Sequence, residues 1–196
     1  MSQPWDFLDN YRNGTSGVVD ITGEWPTLPE LFDITVDRFS ARRAFTAFEA
    51  EELTLSYAEV RRRVRAAARY LQGLGVKPGD RVAVTGKNSP EWATAYIAVL
   101  YAGGVVVPID YQLQSRDISG LMGRADVKAV FVDTEKYDDF EAPSKGAKIS
   151  LAPDRENYIY NFPQDQLADR ATREEDDLAA ILFTSGTTGS AKGVML

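Results

Sequence analysis

The stretch RVAVTGKNSPEWATAYIAVLYAGGVVVPID, Arg81 to Asp110, decides the fold. It opens with a short apolar run, continues through Ser89 and Pro90 into a helical pattern, and closes with the apolar run VVVP. Serine at the N-cap and proline at the first helical position are typical of a helix start. Continuous apolar runs are typical of parallel strands that are covered on both faces. The stretch therefore predicts a strand–helix–strand unit with parallel strands.

The same alternation continues on both sides of this unit. Capping-box patterns predict further helices after Thr27 and after Ser56. VKAVFVD (127–133) and LAAILFT (178–184) predict further buried strands. Alternating strands and helices indicate an α/β fold, a mainly parallel sheet flanked by helices with right-handed crossovers.

Changes in composition predict three parts of the chain. Residues 1–26 are punctuated by glycine and proline and are interpreted as an N-terminal arm. Residues 27–177 form the α/β unit, within which 135–177 is polar and proline-containing and is predicted to be peripheral and irregular. Residues 178–196 form a strand and a loop that open the next structural unit.

The composition excludes several kinds of chemistry in this chain. There is no histidine and no cysteine, which excludes a Ser-His-Asp triad, a thiolate nucleophile and disulfide bonds. The absence of cysteine suits a cytoplasmic protein, and no run of apolar residues is long enough for a spanning helix. We therefore expect a cytoplasmic protein, with peripheral membrane attachment left open for a longer parent protein.

The charge pattern argues against a nucleic-acid partner. The formal net charge is −7, which disfavours binding to a polyanion. The basic run RRRVR at 61–65 is interpreted as a solvated face of a helix.

A loop rich in glycine and hydroxyl side chains, TSGTTGSAKG, follows the last predicted strand at 184–193. Glycines let backbone N–H groups converge, and hydroxyls and a lysine add donors and charge, so the loop is typical of a polyphosphate site. A Walker A loop is excluded because Ala191 and Gly193 stand where that motif needs Gly and Ser or Thr. The alternative interpretation is a surface loop of small residues.

Three segments together resemble the acyl-adenylate-forming superfamily, which contains acyl-CoA synthetases, nonribosomal peptide synthetase adenylation domains and luciferases. LFTSGTTGSAKGVML is similar to its phosphate-loop signature, LSYAEVRRRVRAAARYLQGLGVKPGDRVAV to its first core motif, and NSPEWATAYIAVLYAGGVVVPID to its second. The resemblance covers about 27–196 and is closest to long-chain fatty acid–CoA ligases. One departure is Ala191, because many members have proline there.

The resemblance implies an ATP-dependent ligase that converts a carboxylic acid, here a long-chain fatty acid, to acyl-AMP and then to a coenzyme A thioester. It implies ATP, Mg²⁺ and coenzyme A as cofactors of the full-length parent. It assigns no acid, base, nucleophile or metal ligand to this chain. The residues that it places on the β- and γ-phosphates of ATP are Thr184, Ser185, Gly186, Thr187, Thr188, Gly189 and Lys192.

In this family, motifs beyond the loop bind adenine, ribose and Mg²⁺, and a small C-terminal domain supplies a further lysine. The chain is therefore expected to be the N-terminal part of a longer ligase, forming the first subdomain of its large N-terminal domain, and to be inactive alone. An adenylation domain for an aryl or amino acid, and a non-catalytic interaction module, remain as alternatives.

Five polar or aromatic residues stand near predicted strand ends and helix starts, where α/β sheets often border ligand crevices. Capping and core packing are the preferred interpretation of this group. Its members are Asn88, Ser89, Trp92, Asp110 and Tyr111.

Overall fold

The computed structural model describes residues 26–47, 53–143, 146–184 and 191–196. In chain order the helices and strands are α1 (Leu28–Phe39), β1 (Arg43–Ala47), β2 (Leu53–Ser56), α2 (Tyr57–Gly73), β3 (Arg81–Thr85), α3 (Pro90–Tyr101), β4 (Val105–Ile109), α4 (Ser115–Arg124), β5 (Val127–Val132), α5 (Thr134–Tyr137), β6 (Ala147–Ser150), a 3-10 helix (Ile159–Asn161), β7 (Ile181–Thr184) and β8 (Lys192–Met195).

A parallel sheet with the strand order β4–β3–β5–β6 is the framework of the fold. The chain just before β7 extends this sheet beyond β4. The Val106 N–H donates to the Ala179 carbonyl at 3.0 Å, and Val106 forms a parallel bridge with Ala180. The predicted α/β class and its parallel sheet are confirmed.

Two apolar clusters cover the two faces of the sheet. One joins β3 and β5 to α2 and α3, where Val64, Val99 and Phe131 are fully buried. The other joins the same strands to α4, where Ile118 and Val130 are fully buried. Both faces are covered because each strand alternates its side chains between them.

The predicted helix starts are formed as the sequence indicates. The Ser56 N–H donates to Glu59 at 2.8 Å, while the Glu59 N–H donates to the Ser56 hydroxyl at 3.3 Å. Ser89 likewise accepts the N–H of Trp92 at 3.1 Å. These contacts join residues three positions apart, so a short sequence pattern is sufficient to predict them.

The segment 135–177 differs from the expectation of a peripheral, irregular region. It contributes β6, the edge strand next to β5, and it buries Ile149 and Ile159. A strand of four residues is too short to show a clear period in its sequence, so the sequence pattern does not predict it.

β7 is shorter and more exposed than the buried strand predicted over 178–184. The strand begins at Ile181, and its residues are half-buried or exposed. The bridge to β4 is made by Ala180, just before β7, and β7 itself pairs with β8 in an antiparallel ladder. Because it leaves the sheet, it is not covered on both faces.

The basic run on α2 also differs from a simple solvated face. Arg61 pairs with Asp37 at 2.5 Å, and the Arg65 Nε donates to the Ala168 carbonyl at 2.8 Å. The Arg63 guanidinium lies 4.0 Å from the centre of the Tyr160 ring. These arginines therefore hold neighbouring segments of the fold.

Candidate functional site

The β7–β8 pair forms the two sides of the predicted phosphate loop. Thr184 is the last residue of β7 and pairs directly with Lys192, the first residue of β8. Both residues are exposed. The other predicted phosphate contacts lie outside the described residues: Ser185, Gly186, Thr187, Thr188 and Gly189. Their role, like that of Thr184 and Lys192, stays a prediction.

The strand after the loop fits the rejection of a Walker A motif, in which a helix follows the lysine. Gly193 pairs with Phe183 in the ladder. A Cβ on Gly193 would lie 3.0 Å from Cγ2 of Ile181 and 3.5 Å from Cε1 of Phe183. Because Gly193 has no Cβ, the side chains of Ile181 and Phe183 have room beside β8. Both side chains also pack against the apolar cluster that contains α4.

An open crevice of about 540 Å³ lies at the carboxyl ends of β3, β4 and β7, beside Thr184. Such an edge is where ligands bind in open α/β sheets. Its lining residues are Gly86, Asn88, Trp92, Pro108, Ile109, Asp110, Tyr111, Leu182, Phe183 and Thr184.

The crevice brings together four of the five residues that we interpreted as caps or core. Ser89 is the exception, since it caps α3. The capping and packing interpretation is confirmed for part of the group: Asp110 accepts the N–H of Gln112 at 2.9 Å, and Trp92 packs on Tyr96. These residues also line the crevice, because parallel strands bring their carboxyl ends to one edge.

Charged groups that the sequence did not single out join the ends of β3 and β5. The Lys87 N–H donates to Asp133 at 2.8 Å, and the Lys87 ammonium pairs with Glu135. The hydrogen bond and the charge of Glu135 raise the pKa of Lys87. This pairing keeps Lys87 cationic at the rim of the sheet edge.

Two tyrosines brace the first turns of α3, which carries Trp92 into the crevice. The Tyr158 hydroxyl donates to Glu91 at 2.7 Å, and the hydroxyls of Tyr160 and Thr94 lie 3.0 Å apart. Burial is the main cause that raises the pKa of both phenols. Sequence reasoning missed them because they come from the segment after β6, and Tyr158 and Glu91 are 67 positions apart.

Metal-binding clusters and membrane-spanning helices are both absent from the part of the chain that the structure describes. No group of three or more His, Cys, Asp or Glu in these residues is arranged to hold a metal ion. None of the described helices is long and apolar enough to cross a bilayer.

A family model described as AMP-binding enzyme matches residues 32–196. The chain belongs to the AMP-binding enzyme family. The nonribosomal peptide synthetase inpB of Emericella nidulans is 31% identical over 182 residues, which cover 88% of this chain and 8% of that protein. The 2-succinylbenzoate–CoA ligase of Bacillus cereus is 30% identical over 167 residues, which cover 83% of this chain and 33% of that protein.

A solved structure of this family has the same fold. The N-terminal subdomain of Klebsiella oxytoca NpsA, in complex with 3-hydroxybenzoyl-AMSN, matches with a TM-score of 0.73 and 26% identity. The match covers 88% of this chain and 41% of that one. The chain therefore spans less than half the length of each of these relatives.

These relatives correct the expectation that the chain is most similar to long-chain fatty acid–CoA ligases. They support an adenylate-forming enzyme of the peptide synthetase and CoA ligase kind. They do not support long-chain fatty acids as the specific substrate. The matched region holds the parallel sheet and the predicted phosphate loop, and it is similar both to a peptide synthetase and to a CoA ligase, so it does not identify the acid.

Proposed function

We propose that this chain supplies the phosphate-binding part of an adenylation domain, which activates a carboxylic acid with ATP. In the overall reaction, an oxygen of the carboxylate bonds to the α-phosphorus, and the bond to the β-phosphate oxygen breaks. Acyl-AMP and pyrophosphate result, and a thiol then displaces AMP. The family match over 32–196 is the observation that carries this proposal.

The chemistry of the β7–β8 pair fits a polyphosphate. An exposed hydroxyl on Thr184 and an exposed ammonium on Lys192 flank the loop from directly paired positions. An anionic carboxylate must approach an anionic phosphate, so donors and a cation that offset their repulsion lower the barrier. Mg²⁺, held with ATP, would supply further positive charge there. Neither side chain acts as an acid, base or nucleophile in this proposal.

We propose an amino acid or an aryl acid as the substrate, rather than a long-chain fatty acid. The peptide synthetase among the relatives, and the aryl group in the NpsA complex, support this choice. Coenzyme A or another thiol is the proposed acceptor. A cytoplasmic location, with no nucleic-acid partner, belongs to the same proposal.

Pyrophosphate exchange into ATP, driven by a panel of acids, tests the proposal. The longest natural protein that contains residues 1–196 is assayed with amino acids, aryl acids and fatty acids. We expect exchange with a member of the first two classes and none with palmitate. Exchange with no acid at all would refute the adenylation proposal, and exchange with palmitate alone would refute the substrate class.

The 196-residue chain by itself is the second arm of the experiment. We propose that it neither exchanges pyrophosphate nor forms acyl-CoA, because the family that it resembles binds adenine, ribose and Mg²⁺ through motifs that follow the phosphate loop. Acyl-CoA formation by this chain from ATP, coenzyme A and an acid would contradict that proposal.

A further inference from the structure

We propose that Arg124 is a positioning residue for Lys192, one of the predicted phosphate contacts. Its Nη1 donates a hydrogen bond of 3.0 Å to the carbonyl oxygen of Ala191, the residue directly before Lys192. The inference rests on the proposed function for its consequence in ATP binding. The contact itself belongs to the described residues and can be tested without any activity.

The hydrogen bond controls the direction of one peptide unit. The carbonyl of Ala191 and the N–H and Cα of Lys192 lie in one plane because the peptide bond is planar. Holding the carbonyl oxygen therefore orients the backbone of Lys192. Since Lys192 pairs with Thr184, the same bond helps to fix the separation between the two ends of the loop.

Helix α4, which carries Arg124, is held in place by buried apolar side chains. Its residues Ile118, Leu121 and Met122 are buried in the cluster against which Ala191, Ile181 and Phe183 pack. The apolar contacts set how closely the β7–β8 pair approaches α4. They are non-directional, so the bond from Arg124 adds the orientation that apolar packing cannot supply.

Because Arg124 is exposed, its replacement can change the backbone of Lys192 without lowering the stability of the fold. The residue lies in the last turn of α4 and is exposed. Substitutions at exposed positions usually change stability little. Replacement of Arg124 should therefore leave the fold intact while it releases the peptide before Lys192. An arginine on the same helix, Arg116, is also exposed and provides a matched control.

Hydrogen exchange on the 196-residue chain tests the contact directly. Arg124→Met keeps much of the alkyl chain but removes the donors, and Arg116→Met is the control. We expect the amides of β8 to exchange about fivefold faster in Arg124→Met, as befits the loss of one net hydrogen bond. We expect no change in Arg116→Met, and melting temperatures of both variants close to that of the wild type.

Kinetics of the longest natural protein that contains residues 1–196 test the consequence. Arg124→Met should raise the KM for ATP about fivefold, with a smaller change in kcat and in the KM for the acid, and Arg124→Lys should restore part of the loss. A general structural defect would instead change all three constants together.

The outcomes separate this inference from the proposed function. Equal exchange rates in the two methionine variants, or an unchanged KM for ATP in Arg124→Met, would overturn the role of Arg124 and leave the proposed function standing. Faster exchange in Arg124→Met alone, together with no activation of any acid by the longest natural protein that contains residues 1–196, would support the Arg124 contact and refute the proposed function.

Discussion

Thr184 and Lys192 are direct Cα partners across the β7–β8 pair. The two residues that flank the predicted phosphate loop are thus held side by side by the pairing of their strands. A hydroxyl and an ammonium at paired positions can contact one anion together.

Thr184→Ala should weaken ATP binding in the longest natural protein that contains residues 1–196. A hydrogen bond to a charged acceptor contributes roughly 1.5–3 kcal/mol, so we expect the KM for ATP to rise about tenfold or more. Thr184→Ser keeps the hydroxyl and should retain most of the affinity. If alanine and serine give the same KM for ATP, the Thr184 hydroxyl does not contact the phosphates.

Lys192→Met should reduce pyrophosphate exchange, because it removes the cation that offsets phosphate charge. A loss of about tenfold or more in kcat/KM for ATP is expected from the removal of a charge-assisted contact. Lys77→Met removes an exposed cation next to the amino end of β3, opposite the crevice, and is the control. Similar kinetics for the two variants would show that only the overall charge matters.

Gly193→Ala should destabilise the β7–β8 pair. Its Cβ would lie 3.0 Å from Cγ2 of Ile181, closer than ordinary contact, so Ile181 must move. Because Ile181 is only half-buried and can shift, we expect a loss of about 1 kcal/mol of unfolding free energy, the lower end of the range for overpacking. Gly120→Ala, on α4 with nothing within 4 Å of the new Cβ, should instead stabilise by roughly 0.5–1 kcal/mol. Denaturant unfolding of both variants measures the difference, and equal effects would contradict the contact.

Tyr158→Phe should destabilise the fold by about 1–2 kcal/mol at neutral pH, because Glu91 loses its donor at 2.7 Å. Tyr70→Phe keeps its ring stacked on Phe162 at 4.0 Å and is the matched control. Denaturant unfolding is the measurement. A loss of stability no greater than that of Tyr70→Phe would contradict a role for the hydroxyl.

The destabilisation caused by Tyr158→Phe should depend on pH. Burial, followed by the hydrogen bond to Glu91, raises the pKa of Tyr158 above its ordinary value of 10.0. The folded protein therefore holds this proton more tightly than the unfolded chain, so the contribution is complete below about pH 10 and is lost as pH rises further. The stability difference between wild type and Tyr158→Phe should shrink above about pH 10. A stability difference that grows above about pH 10 would contradict a raised pKa for Tyr158.

Local features of the fold could be predicted from the sequence, whereas long-range ones could not. The caps at Ser56 and Ser89 join residues three positions apart, so their patterns are visible in a short window. β6 lies beside β5 only through the parallel sheet, and its four residues carry no clear period. Sheet order and the tyrosine brace on α3 likewise depend on contacts between distant segments.

For the candidate site, too, the sequence predicted the local features and not the long-range ones. The residue types of the loop, a cluster of Gly, Ser and Thr with one Lys after a strand, were enough to indicate a phosphate site. A crevice was the less favoured interpretation of Asn88 and Asp110, because these residues and Thr184 meet only when three strands end at one edge. The contact from Arg124 to Ala191 has no sequence signal, since any exposed arginine at a helix end looks alike.

The sequence by itself determined the class of fold, the helix starts, the kind of chemistry that a chain without histidine and cysteine can support, and the family resemblance. Each of these depends on composition or on residues close along the chain. Only the tertiary structure decided that Thr184 faces Lys192, that the strand ends form a crevice beside them, and that Arg124 holds Ala191. Burial of both faces of the sheet fixed these relationships, because it is the packing of α3 and α4 against the strands that brings distant residues to one edge.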